Sequence, residues 1–220
     1  MKQKLLEFKE LGVTILPSVF SDETIGSIRN ISLELKSRFG NEAIIGTKKQ
    51  HGVPTFWKGL DMASQYNEEL YKLYTSKSML KIAGYFLNTS EVYLYNDQVV
   101  VKSPKEDFEF ESHCDNQYGP NLMLAQKGVF KTITCCLVLD DFTEHNGAIK
   151  FTTKVESEIT PLPKSGSLIV WDGNTIHSST NNLSNGSRCV WLLIYANTDI
   201  HKLPAEQDYF NRFYNQKFTV

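Results

Sequence analysis

Residues 166–196 read GSLIVWDGNTIHSSTNNLSNGSRCVWLLIYA. Ser167–Trp171 is an apolar strand, a polar, turn-rich segment carrying His177 follows, and Arg188 opens a second apolar strand. That second strand, RCVWLLIYA, is apolar at successive positions, the pattern of a strand covered on both faces. A single arginine at its start is conspicuous, because a buried guanidinium needs an anionic partner and its fork suits a carboxylate. Upstream, His113 and Asp115 stand two residues apart in SHCDNQY. On an extended strand that spacing aims both side chains at one spot. With His177 they make two imidazoles and one carboxylate, a donor set that suits iron(II) and leaves coordination positions open.

Bulk properties set the frame. A chain of 220 residues with 41% apolar and 22% charged residues can bury a substantial core. A net charge of −2 gives no electrostatic case for nucleic acid or an anionic membrane as partner. No apolar run approaches the ~20 residues that cross a bilayer. The opening MKQKLLEFKELG reads as a short amphipathic helix, its charges interrupting the apolar run that a secretory segment needs. Cys114, Cys135, Cys136 and Cys189 form no Cys-x-x-Cys pair, and three lie in apolar strands, so reduced buried thiols and a cytoplasmic location are expected.

In chain order, residues 2–11 are expected to be helical and Gly12 stops them. Val13–Leu16 is a short strand. Ser21 is an N-cap with Asp22 and Glu23 in the first turn, and Ile25, Ile28, Ile31 and Leu35 mark a helix to Phe39. Residues 41–65, with His51, Phe56 and Trp57, read as irregular, and two shorter helices follow at 67–75 and 77–86. From Glu91 the periodicity is that of strands: 91–102, 108–115, 131–140, 148–153, 159–162, 167–171 and 188–198, with Asn146-Gly147 as a hairpin signal. Helices followed by strands predict an α+β, mainly β chain with an antiparallel sandwich or barrel packed on helices. The aromatic-rich segment EQDYFNRFYNQKF is expected to be a docked helix.

His-x-Asp alone is a weak signal. Order and context strengthen it: His-x-Asp ends a strand, the distal His follows another, and an arginine stands 11 residues beyond that His. In this the chain resembles the phytanoyl-CoA dioxygenase family of Fe(II)/2-oxoglutarate oxygenases. LGVTILPSVFSDETIGSI is similar to the family's opening strand and helix, and NDQVVVKSP to the strand before the metal motif. HCDNQY matches the His-x-Asp motif, LVLDDFTEHNGAIKF the stretch after it, and SGSLIVWDGNTIHSSTNNLSNGSR the segment with distal His and Arg.

The resemblance implies one domain over 1–220. It would have a helical part at 1–90, a double-stranded β-helix (jelly-roll, cupin-like) core at 91–198 and a helical tail at 199–220. It implies Fe(II) on His113, Asp115 and His177, and 2-oxoglutarate with its distal carboxylate on Arg188, helped by Ser179, with Gln98 lining the same site. Lys102 would only flank the strand end. With O2, the implied reaction hydroxylates or desaturates a small-molecule substrate while 2-oxoglutarate becomes succinate and CO2. The presence of Asp115 argues against halogenation, since halogenating relatives lose the metal carboxylate.

Three positions depart from the family pattern. Cys114 stands between the metal residues where Gln is common, and Cys136 stands where a Trp often lines the pocket. FTTKVESE replaces a Pro-Gly-Ser-His-like segment. Tyr118, Trp57 and Trp171 are candidate cavity walls or packing aromatics. Three other readings compete: an oxygenase that modifies a protein or carrier-bound substrate, a catalytically silent jelly roll that binds a metal or ligand, and a zinc hydrolase whose base would be Glu111, which strand parity places beside His113.

Overall fold

The computed structural model describes residues 1–39, 49–50, 53–54, 60–117, 124–125, 127–202, 214 and 216–220. The chain begins with α1 (Lys2–Leu11), β1 (Val13–Leu16) and α2 (Asp22–Phe39). Gly12 stops α1 in the left-handed conformation, and its N–H closes on Phe8 O. The Ser21 hydroxyl accepts the Thr24 N–H as the expected N-cap of α2. Three two-residue strands follow: β2 (Lys49–Gln50), β3 (Val53–Pro54) and β4 (Leu60–Asp61). The stretch read as irregular therefore contains strand pairs. Asn67 caps α3 (Glu68–Tyr74), and Ser76 caps α4 (Lys77–Leu87).

The strand-rich part comprises β5 (Glu91–Lys102), β6 (Phe110–His113), β7 (Thr132–Val138), β8 (Ile149–Thr152), β9 (Glu158–Ile159), β10 (Leu168–Asp172), β11 (Ile176–Ser179) and β12 (Arg188–Ala196). Near the chain end lies β13 (Lys217–Thr219). The order β1-β10-β7-β12-β5-β13, with β4 also on β5, makes a seven-stranded major sheet. A four-stranded minor sheet runs β6-β11-β8-β9. These strands pair antiparallel among the described residues, and the core is the expected jelly roll with helices on one sheet.

Alternation along β12 sorts the core into two layers. Cys189, Trp191, Leu193 and Tyr195 face the helices, packing with Ile28, Leu70, Tyr74, Met79 and Ala83. Val190 and the partly buried Leu192 face the jelly-roll interior with Cys136, Val138, Phe151, Ile169 and Trp171. The strand is covered on both faces, as its sequence implied.

Two expectations are corrected. Asn146-Gly147 does not close a hairpin: β7 belongs to the major sheet and β8 to the minor one, so the turn carries the chain between sheets. The segment read as a C-terminal helix falls mostly outside the described residues. Its end at Lys217–Thr219 is a strand, with Phe218 paired to Val92. Among the described residues no helix is long and apolar enough to cross a membrane.

Candidate metal centre

His113 closes β6, and His177 lies directly opposite it on β11. The sequence placed His177 in a polar turn. Instead Ile176–Ser179 forms a short strand between β6 and β8, which fixes the ring within the minor sheet. Asp115 reaches the same point differently from the expectation. The strand ends at His113, and Asp115 opens a one-turn helix over Asp115–Gln117. Asn116 anchors that turn: its N–H donates to Gly173 O at 2.9 Å, and its side-chain oxygen accepts from Thr132 Oγ1 at 2.8 Å. One ligand atom from each of His113, Asp115 and His177 lies within 4.8 Å of the others.

Both imidazoles are oriented by backbone. His113 Nδ1 contacts Glu111 O at 2.6 Å, and His177 Nδ1 contacts Thr175 O at 3.0 Å. A carbonyl can only accept, so each Nδ1 carries the proton and each Nε2 presents a lone pair. His177 Nε2 stands 3.6 Å from Asp115 Oδ1. Burial lowers the His177 pKa, His113 lowers it further and Asp115 opposes both; the neutral ring is the ligating form. The other Asp115 oxygen, Oδ2, accepts from Thr134 Oγ1 at 2.6 Å and Trp171 Nε1 at 2.8 Å. Trp171 is fully buried on the inner face, so it holds the carboxylate rather than acting only as cavity wall or packing. Trp57 and Tyr118 lie outside the described residues.

From this cluster the inner face runs along β7 and β12. Thr134 pairs with Ile194, Cys136 with Leu192, and Val138 with Val190; Arg188 follows two residues beyond Val190. Arg188 is 1% exposed. Its Nη2 donates to Gly147 O at 2.7 Å, while Nε has no hydrogen-bond partner. Burial pulls its pKa down to about 10, and among the described residues no carboxylate forms an ion pair with it. An orphaned, buried guanidinium nitrogen is what a missing anion leaves behind. Cys136 is a fully buried neutral thiol, its pKa pushed up to about 12 by burial against the opposing Arg188 charge.

Ser179 is buried two residues after His177. Both pair with inner-layer residues, Ile149 and Phe151, so they share the inward face. Gln98 pairs with Leu192, but its amide donates to Asp61 Oδ1 at 2.7 Å. Glu111 does not keep the parity with His113 that the hydrolase reading required. Between β6 and β11 the pairs are His113 with His177 and Phe110 with Ser179, so a bulge adds one residue to β6. Phe110 packs on the inner cluster and Glu111 is exposed. Sequence reading missed Thr134 and the burial of Lys102.

No family model matches the sequence, and no curated protein does. Solved structures do. The non-heme alpha-ketoglutarate-dependent carbocyclase SnoK from nogalamycin biosynthesis aligns over 100% of this chain and 94% of its own, at TM-score 0.78 and 17% identity. The epimerase SnoN, solved with Fe3+, alpha-ketoglutarate and nogalamycin RO, aligns over 90% of this chain and 84% of its own, at TM-score 0.75 and 14% identity. EctD from S. alaskensis, solved with 2-oxoglutarate and 5-hydroxyectoine, aligns over 89% of this chain and 75% of its own, at TM-score 0.74 and 16% identity. At such identities the shared property is the fold.

Proposed function

We propose that this chain is a non-haem Fe(II)- and 2-oxoglutarate-dependent dioxygenase of the phytanoyl-CoA dioxygenase type, acting on a small-molecule substrate by hydroxylation or desaturation. The observation that carries the reading is Arg188. It is a buried cation with an unpartnered Nε, at one end of a jelly-roll interior whose other end gathers His113, Asp115 and His177. A silent jelly roll has no use for that orphan, and the bulge in β6 removes the basis for Glu111 as a hydrolytic base. The neighbours solved with iron, 2-oxoglutarate or both support the same cofactor set here.

In this reading His113 and His177 hold Fe(II) through Nε2 and Asp115 through a carboxylate oxygen, leaving positions open for cosubstrate and O2. The bound iron supplies O2 activation coupled to decarboxylation of 2-oxoglutarate to succinate and CO2. Arg188 pairs with the distal carboxylate through the fork that Gly147 leaves partly free. Ser179 adds a hydroxyl donor beside it, and Gln98 lines the approach. Thr134 and Trp171 keep Asp115 from rotating, so the ligand geometry is set before the metal arrives. Cys136, Val138 and Val190 make a dry floor that strengthens the Arg188 pairing. The carbocyclase and epimerase among the neighbours widen the outcomes to include diverted oxidations of a bound small molecule.

The test is anaerobic addition of Fe(II) and 2-oxoglutarate, read by charge-transfer absorbance. The wild type gives the band, His177→Ala loses it, and Arg188→Ala needs at least about tenfold more 2-oxoglutarate to reach it. A wild type without a band overturns the proposal.

A further inference from the structure

Lys102 is the second buried cation of the interior, and the sequence had placed it merely at a strand end. It is 1% exposed and lies directly opposite Arg188 across the β5–β12 pair. Its three N–H donors go to three backbone carbonyls: Phe108 O at 3.1 Å, Ser179 O at 3.3 Å and Thr180 O. Those carbonyls belong to two segments of the other sheet's chain path. Phe108 leads into β6, which ends in His113. Ser179 ends β11, which carries His177, and Thr180 follows it. One ammonium from the major sheet thus fastens both strands that bear the imidazoles. The Phe108 and Phe110 rings flank it at 5.9 and 5.4 Å to their centroids.

Among the described residues neither Lys102 nor Arg188 forms an ion pair; Glu106 and Glu109 act on Lys102 only from beyond contact, so two adjacent buried cations lack a carboxylate against them. We propose that Lys102 is a positioning residue that clamps β6 and β11 to the major sheet, and that an anionic cosubstrate seated at Arg188 tightens this clamp by supplying the missing negative charge. The inference rests on the proposed cosubstrate site.

The electrostatics give it a signature. Burial, followed by the Arg188 charge, pulls Lys102 down to about 7, while Glu106 and Glu109 oppose them. These are the charged groups that face it, from β12 and from the segment before β6; the Cys136 thiol of β7 lies on the Arg188 side. A carboxylate on Arg188 cancels the neighbouring repulsion and favours the ammonium. Binding therefore takes up a proton above neutral pH, and affinity falls as pH rises, by up to about tenfold per pH unit.

The experiment is anaerobic calorimetric titration of 2-oxoglutarate into the Fe(II)-loaded protein near pH 8, in two buffers of different ionisation enthalpy. The wild type takes up close to one proton, and the uptake vanishes near pH 6. Lys102→Met binds about tenfold or more weakly without uptake. Lys102→Arg, permanently charged, binds without uptake and with affinity independent of pH over this range. Wild-type binding with no proton uptake overturns the inference and leaves the oxygenase reading standing, as does uptake that persists in both variants. Absence of 2-oxoglutarate binding overturns the oxygenase reading and this inference with it.

Discussion

Asp115 is fixed by two donors before it meets any ion. Trp171 Nε1 and Thr134 Oγ1 both reach Oδ2, which leaves Oδ1 on the side of His177. Removing one donor loosens the carboxylate without emptying the core. Trp171→Phe keeps an aromatic ring between Phe151 and His177, so metal affinity should fall about ten- to a hundredfold while the fold survives. A chelator-competition titration reads this, and unchanged affinity would show that Thr134 suffices alone. The candidate ligands were legible as residue types: His113, Asp115 and His177 stand out by spacing, and Arg188 by its isolation in an apolar run. The partners that orient them were not. Trp171 lies 56 residues from Asp115, so only the rule that a buried indole N–H seeks an acceptor could have pointed to such a bond. Lys102 does end its strand, but its burial was not legible, because a lysine at a strand end ordinarily reaches solvent.

At the scale of elements, the long strands were readable because stretches of seven to twelve residues rich in β-branched and aromatic side chains leave little ambiguity. β11 was not, since IHSS is short, polar and bounded by turn residues; it becomes a strand only because β6 and β8 flank it. The same dependence on context governs Gly147. Its dipeptide signals a turn, but the turn spans two sheets and aims the Gly147 carbonyl at Arg188. Gly147 has φ 72°, and a Cβ there would stand 2.5 Å from Thr180 O, a backbone atom that Lys102 also holds. Gly147→Ala should therefore destabilise the protein by roughly 1–3 kcal/mol and weaken 2-oxoglutarate binding as well. Urea unfolding and the charge-transfer titration report the two effects separately. An alanine variant with unchanged unfolding midpoint would mean that the turn can relax away from β11.

Across the whole molecule, the helical layer is tied to the outer face of the major sheet by a buried carboxylate. Asp97 accepts from Trp191 Nε1 at 2.8 Å, from Ser64 Oγ at 2.8 Å and from Ser64 N at 3.0 Å. Burial outweighs these donors and raises its pKa from 3.8 to about 6. The native state thus holds this proton more tightly than the unfolded chain does. The associated stabilisation is complete below about pH 4 and is lost as pH rises through about 6, a swing of roughly 3 kcal/mol. Asp97→Asn should remove that dependence, so the wild type gains on the variant as pH falls from 7 to 4.5 in urea unfolding. Equal pH profiles would refute the assignment. The α+β class and the helical face were legible as periodicity, whereas this tie depends on Ser64 meeting Asp97, 33 positions further along the chain. The outer edge of β5 has a different consequence. β12 covers one side along nearly its whole length, but the other side is shared between β4 at Gln98–Val99, Tyr214 at Tyr95, Gln216 at Leu94 and β13 at Glu91–Tyr93. Deleting Lys217–Val220 would bare the main-chain donors and acceptors of Glu91–Tyr93, a template for a second copy. Such a deletion should stay folded yet self-associate with rising concentration in sedimentation runs, which would make β13 a guard against unwanted strand exchange.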